Sequence, residues 1–224
     1  VPDLCEMGIV ANATGLMPDR PDFHAPVARI PEVATLLAET TSGGLLAGDR
    51  RLDVFHHLRA PDEASFAGGV FVVVRCHDRT SWDMLAAKGH AVSASGDTAM
   101  LYLPRHILGL EAATSVLDAA GLGRSGYGDD YRPRVDLVAV ATRDLTEGTL
   151  MTASGHHHTI DGVRAEMRPS QPLSDDSPAP FYLVADRPLA RSVRAGTTVR
   201  LGDLQMDEAS TLYRLRLQQD RMFG

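Results

Sequence analysis

Apolar positions fall into two regimes along this chain: helical spacing dominates the first half, and short strand-like runs dominate the second. Leu4, Met7, Ile9, Val10 and Ala13 recur at helical intervals, so Leu4 to Leu16 is predicted to be a buried helix closed by Gly15. Pro18, Pro21 and Pro26 hold the following segment away from helix, which predicts an ordered extended loop or a linker. A second helix should begin at Ile30-Pro31-Glu32, with proline in its first turn, and run to about Ala38 before Gly43-Gly44 breaks the chain. Leu52 to Leu58 alternates weakly. Gly69 to Arg75 is a continuous Val/Phe run of the kind found in buried strands, and Ala99 to Leu103 reads as a second strand. Ile107, Leu108, Leu110, Ala113, Val116, Leu117 and Ala120 keep close to a helical period, which predicts a helix stopped by Gly121.

The glycine- and charge-rich stretch from Gly123 to Pro133 marks a domain boundary, and the pattern changes beyond it. Short strands are predicted at Val135 to Ala141, Thr149 to Ala153, Phe181 to Ala185 and Thr197 to Leu201, with a Pro/Ser/Asp-rich surface loop from Pro169 to Pro180. A helix near Glu208 to Phe223 closes the sequence, with Leu212, Leu215 and Met222 on one face. Leu145-Thr146-Glu147-Gly148-Thr149 is echoed by Val193-Arg194-Ala195-Gly196-Thr197. Each has the form of a turn feeding a strand, with glycine free to take positive φ.

Composition narrows the function classes. A chain of 224 residues with 44% hydrophobic content can bury a real core as one large or two small domains. A net charge of −7 argues against a general nucleic-acid or anionic-membrane surface. Lys88 is the only lysine, which leaves little room for lysine catalysis. Cys5, in a segment expected to be buried, and Cys76 are too few for a disulfide framework or zinc knuckle, so a reducing cytoplasm is the expected compartment. No apolar run is long enough to span a bilayer, and no export signal is evident. The chain starts at Val1-Pro2, so its natural start is left open.

Several side chains carry candidate chemistry, each with a plain structural reading beside the functional one. His24, between prolines, could be held toward a cleft as a proton donor, or could cap its loop by hydrogen bonding. Arg105 and His106, between a strand and a helix, could meet a carboxylate or phosphate, or form a solvated strand end. Asn12 could bind a substrate hydroxyl with Glu6, two turns earlier on much the same face, acting as base; backbone groups could equally satisfy Asn12. His156 and His158 would face one way in a strand and could bind zinc, but no third ligand stands at a recognised spacing, so no metal is expected. His56-His57 is read in the same way. His77 and Asp78 would point to opposite faces of a strand. No phosphate loop, nucleophile elbow or glycine-rich dinucleotide turn after a strand is present, since Gly121 to Gly126 follows a helix.

One ordered series of motifs adds a resemblance. Glu6-Met7, Val10 to Leu16, Pro18-Asp19, His24-Ala25-Pro26, Gly43-Gly44, Gly69 to Val72, Tyr102 to His106 with Leu110-Glu111, and Ala141 to Leu145 resemble the C-terminal half of the homoserine-dehydrogenase-like oxidoreductases that end in a SAF domain. One branch of that family is a deoxyxylulose-phosphate reductoisomerase. The resemblance implies a Rossmann domain upstream, a middle region that supplies catalysis and oligomer contacts, and a C-terminal β-clip. Two positions depart from the family pattern. Asp3 stands where the family has a lysine before the first helix, and Gly155-His156-His157-His158-Thr159 replaces a Gly-Gly-Tyr-Thr run.

The expected architecture is therefore α+β: a mixed helix/strand catalytic and oligomerisation-like domain over 1–126, then a SAF-like β-clip with a C-terminal helix over 127–224. The expected function is the catalytic and oligomerisation half of a SAF-domain oxidoreductase acting on a small polar hydroxy or carbonyl compound. His24, His106 and Glu6 are the catalytic candidates, and Asn12 and Arg105 the substrate-binding ones. The chain alone is expected to bind no cofactor, NAD(P) entering only through a separate or missing Rossmann domain. Expected partners are a small polar substrate and other copies of the chain, not nucleic acid or membrane. A cofactor-free lyase, isomerase or cyclase, or a non-catalytic ligand-binding protein, remains the alternative.

Overall fold

A computed structural model describes residues 4–126, 130–155 and 159–224. Asp3 and the triplet His156-His157-His158 lie outside the described residues. The chain forms two compact units, Leu16–Asp130 and a second made of the first helix together with Tyr131–Gly224. That helix, α1 (Leu4–Thr14), therefore belongs to the C-terminal unit. Gly15 closes it with φ +73°, as the glycine implied. Only Ala11 and Asn12 are buried in α1, and Cys5 is exposed, contrary to the reading of Leu4 to Leu16 as buried throughout.

In the N-terminal unit, the proline-rich segment is non-helical but not extended throughout: it turns at 19–22, where Phe23 N bonds Arg20 O. Its end forms β1 (Val27–Ala28), which leads into α2 (Ile30–Leu36). β2 (His56–His57) pairs with β1 in parallel. β3 (Val70–Arg75), α3 (Arg79–Ala87), β4 (Ala91–Val92) and β5 (Thr98–Leu103) build an antiparallel sheet in the order β3-β5-β4. α3 was not expected from apolar spacing; it starts because the Asp78 side chain caps Thr80 N at 3.1 Å, and Trp82 is its one buried residue. His77 and Asp78 thus belong to a helix-capping turn rather than to a strand.

The two sheet faces differ. Phe71, Val73 and Met100 pack on Val33 and Ala34 of α2 and on Leu37 just past its end, with Phe66 and Leu46 completing this core. Val70, Val72, Leu101 and Leu103 form the opposite face and stay 45–59% exposed, so the Val/Phe run is buried on one side only. α4 (Leu108–Leu117) buries none of its residues, although Leu108, Leu110, Val116 and Leu117 are apolar. It runs on through Gly121 in a π turn and ends at Gly123, whose φ of +62° supplies the left-handed cap expected two residues earlier.

The C-terminal unit is a β framework. β6 (Val135–Ala141) is long and regular, as predicted. β7 (Ala153–Ser154) pairs with β8 (Thr159–Ile160), and β9 (Val163–Pro169) pairs with β6 along its full length, from Val135↔Pro169 to Ala141↔Val163. Phe181 to Ala185, expected as a strand, is instead the one-turn helix α5 (Phe181–Val184), because Pro180 sets its first turn and Leu183 N bonds Pro180 O. Thr149 to Ala153 and Thr197 to Leu201 pair mainly through isolated bridges. α6 (Thr211–Phe223) starts at Ser210, whose hydroxyl accepts from Tyr213 N. Its apolar Leu212, Leu215 and Met222 are exposed, and the residue it buries is Arg216.

The glycine echo is the visible part of an internal duplication. Displacing 139–151 by 48 positions maps it onto 187–199, and backbone hydrogen bonds come in matched pairs. Ala141 N donates to Thr197 O as Leu189 N donates to Thr149 O, both at 2.9 Å. Gly148 N reaches Leu189 O as Gly196 N reaches Ala141 O, and Met151 N reaches Arg187 O as Val199 N reaches Ala139 O. Leu145 and Val193 exchange both bonds at the centre, which makes the relation a pseudo-twofold. Gly148 and Gly196 sit at φ +80° and +79°, in equivalent turns of one β-rich unit. Among the described residues, no helix is long and apolar enough to cross a membrane.

Candidate active site

The proline-rich segment lies alongside residues 46–57. Leu52 N bonds Met17 O at 3.1 Å, Arg51 pairs with Asp19, and His56 N bonds Pro26 O at 2.8 Å. This zipper brings Asp53 to His24. Asp53 stands alone as an acid within Leu52-Asp53-Val54-Phe55, and its side chain is 1% exposed. A buried carboxylate is tolerable only when its oxygens are well bonded. Here Oδ2 accepts from His24 N at 3.2 Å and His24 Nδ1 at 2.7 Å, while Oδ1 accepts from Ala25 N at 3.1 Å and Val54 N at 2.8 Å.

That bond fixes the imidazole chemically as well as geometrically. With Nδ1–H committed to Asp53, a neutral ring carries its lone pair on Nε2, and a proton gained there makes an imidazolium facing a carboxylate. The ring is 17% exposed. The backbone around it is held under strain. Phe23 and Ala25, on either side of His24, have φ of +61° and +46°, a region that costs non-glycine residues roughly 1–3 kcal/mol each. Burial of Phe23 to 2% exposure and the Ala25 N–H bond to Asp53 hold both in place.

An aromatic cluster forms nearby in sequence on β2 and the central sheet. Phe55, Phe66, Phe71 and Tyr102 meet at ring separations of 5.3–6.4 Å, and His57 packs edge-on against Phe55 and Phe66. His57 Nδ1 is buried there without a hydrogen bond.

The other candidates have different surroundings. His106 Nδ1 lies 3.3 Å from Glu111 Oε2, and both side chains are well exposed. Arg105 is exposed and makes no ion pair among the described residues. His106 and Arg105 share the N-terminal unit with His24, but neither is bonded to the His24–Asp53 pair. Asn12 is committed to the backbone: Oδ1 accepts from Arg134 N at 2.7 Å and Val135 N at 2.9 Å, and Nδ2 donates to Val135 O at 3.2 Å. Its amide fastens α1 to the start of β6. Glu6 is exposed and does not share Asn12's face, because six residues advance about 600°, some 120° short of two full turns. Among the described residues, no three His, Cys, Asp or Glu side chains are placed to hold a metal; the His156 and His158 hypothesis lies outside those residues.

Asp53 was missed in the sequence. The signal that could have found it was a single acid inside an apolar run, which demands a donor set when buried.

Residues 3–112 match a family model. It describes the catalytic domain of Oxidoreductase DRL, and it spans just under half of the chain, His24, Asp53, Arg105 and His106 included. This part of the protein is thus similar to an oxidoreductase catalytic region. No curated protein matches the chain.

Proposed function

We propose that the chain is the catalytic and oligomerisation half of a SAF-domain oxidoreductase, acting on a small polar hydroxy or carbonyl compound with His24 as its acid–base group. The observation that carries this reading is the His24–Asp53 pair inside the matched catalytic region. His24 Nε2 takes a proton from a substrate hydroxyl or an activated carbon, or returns it to the developing oxygen. Asp53 positions the ring and stabilises the imidazolium formed on the way. The paired turns of the C-terminal unit support a SAF-like β-clip, and the uncharged open face of the β3–β5 sheet and the exposed apolar residues of α4 support contact with a second copy.

We infer that this chain does not by itself hold a nicotinamide nucleotide. A pyrophosphate is held by free amides at a helix N-terminus after a strand. Among the described residues, three such turns of the N-terminal unit each carry one of the chain's own acids: Glu32 accepts from the N-cap amide of Arg29, Asp78 from Thr80 N and Glu111 from the N-cap amide of Ile107. On this reading hydride transfer uses a nucleotide domain from a missing N-terminal segment or another polypeptide. The pair itself moves only a proton, which keeps a cofactor-free isomerase or lyase as the second reading.

Deuterium exchange into hydroxyacetone, followed by NMR, tests the proton step without a nucleotide. Exchange above buffer that is lost in His24→Gln and restored in His24→Ala by added imidazole supports the assignment. Equal exchange in wild type and His24→Gln overturns it, and saturable NADPH binding by this chain alone overturns the need for a separate nucleotide domain.

A further inference from the structure

The duplicated halves of the C-terminal unit have kept their backbone and diverged in charge. Residues 139–152 carry Arg143 against Asp144 and Glu147, a net −1, whereas 187–200 carry four arginines and no acid, a net +4. The exchange is position by position: Thr146 corresponds to Arg194, Thr152 to Arg200, Asp144 to Ser192 and Glu147 to Ala195. Backbone pairing needs none of these changes, since both halves make the same bonds. Even the turn contact is kept, with Ser192 Oγ accepting from Glu147 N where Asp144 Oδ1 accepts from Ala195 N.

The cationic copy lines a groove of about 350 Å³ with Arg191, Ser192, Arg194, Thr197, Thr198 and Arg200. Its other charged walls are Asp175, Asp176 and Asp203. Two of these acids are spoken for: Asp203 takes Arg200 N at 2.9 Å and pairs with Arg191 at 3.4 Å, and Asp176 lies 3.4 Å from Arg200. Arg191 also donates to Gly202 O at 2.5 and 2.9 Å. Arg194 has no ion pair or side-chain hydrogen bond among the described residues, and Ser192, Thr197 and Thr198 line the same groove. The charged walls balance overall, which excludes a polyanion surface and suits one small oxyanion held on a single free guanidinium.

We infer that this groove binds a phosphate group, free or as a small phosphate monoester, with Arg194 as the anchoring cation. The inference concerns the C-terminal unit alone and stands apart from the His24 chemistry. Calorimetric titration of the full chain with inorganic phosphate and with glycerol 3-phosphate tests it, the tighter of the two naming the source. One saturable site is expected, with Arg194→Gln weakening it about tenfold or more, the usual worth of a charge-assisted contact. Arg143→Gln, at the place in the other copy that corresponds to Arg191 and paired with Asp161, should leave affinity within about twofold at the same ionic strength. Absence of saturation by about 10 mM of either probe, a free energy too small for a built site, overturns the inference. Equal weakening by Arg194→Gln and Arg143→Gln overturns it too, because that pattern marks diffuse attraction. Thermal melting of both variants shows that the exposed substitutions leave the fold intact.

Discussion

Asp53 in the N-terminal unit and Arg216 in the C-terminal unit are both charges buried almost completely, and the two are treated in opposite ways. Their side chains are each 1% exposed. Arg216 is saturated. It forks onto Asp136 at 2.6 and 2.8 Å, reaches Asp220 at 2.8 Å, and also donates to Tyr182 Oη, Ser170 Oγ and Gln171 O. Burial opposes its charge, yet hydrogen bonds to Asp136 more than offset that and hold its pKa above the ordinary arginine value. Asp53 is answered by three backbone amides and one imidazole, and the imidazole keeps its second nitrogen for other work. A buried charge with every partner closed is a fastener; one whose partner still has an unused nitrogen is a candidate for chemistry.

Activity is where this comparison should break most visibly. His24→Gln and Asp53→Asn should each lower proton-transfer turnover by about 10²–10⁴-fold, the usual worth of a positioned acid–base group. His24→Gln should leave the urea midpoint nearly unchanged. Arg216→Met should leave the exchange rate of the N-terminal unit alone, which kinetics on the same samples would show.

Stability should respond in the reverse order. Arg216→Met strands Asp136 and Asp220, and breaking a buried pair from one side costs about 3–5 kcal/mol in chemical denaturation. Asp53→Asn keeps its shape and some of its acceptor capacity, so about 1–3 kcal/mol is expected. A larger loss from Asp53→Asn than from Arg216→Met would reverse the assignment of fastener and chemistry.

The pseudo-twofold offers a finer test. An added Cβ at Gly148 or Gly196 meets nothing within 4 Å, so each alanine substitution should cost only the left-handed backbone penalty, about 1 kcal/mol, and the two should match. Gly162, also at positive φ, has Leu145 Cδ2 at 2.8 Å from that Cβ, and Gly162→Ala should cost more. Unequal losses at Gly148 and Gly196 would show that the copies are not energetically equivalent.

The smallest effect concerns acid. Asp97 is held below the ordinary aspartate value of 3.8, first by the Ser95 hydroxyl, then by Arg75 and Ser42, with burial opposing. A depressed folded value means that its contribution is complete above 3.8 and disappears as the pH falls through that depressed value. Urea midpoints for the N-terminal unit should therefore fall below pH 3.8, and Asp97→Asn should flatten that part of the slope. An unchanged slope in the variant would remove Asp97 from the acid response.

The sequence by itself determined the elements whose cause is local. The prolines at 18, 21 and 26 kept their segment out of helix, Pro31 opened α2, Gly15 closed α1, and the run from Val135 to Ala141 made a strand, because each rests on dihedral preference or side-chain period within a few residues. Local pattern also located His24 and the glycine echo. Tertiary structure alone decided where those pieces point. Which face of β3 is covered depends on α2, so the Val/Phe run could not reveal that Val70 and Val72 face outward. Phe181 to Ala185 became helix because Pro180 set a turn, and the apolar side of α6 was left exposed because Arg216 found Asp136 eighty positions away. Asn12 went to the backbone of Val135, 123 positions distant, and His24 met Asp53 across 29. Residue spacing encodes period and turn, which are properties of neighbours; the partner of a buried charge is chosen by the folded chain, where leaving it unpaired would cost more than any local preference.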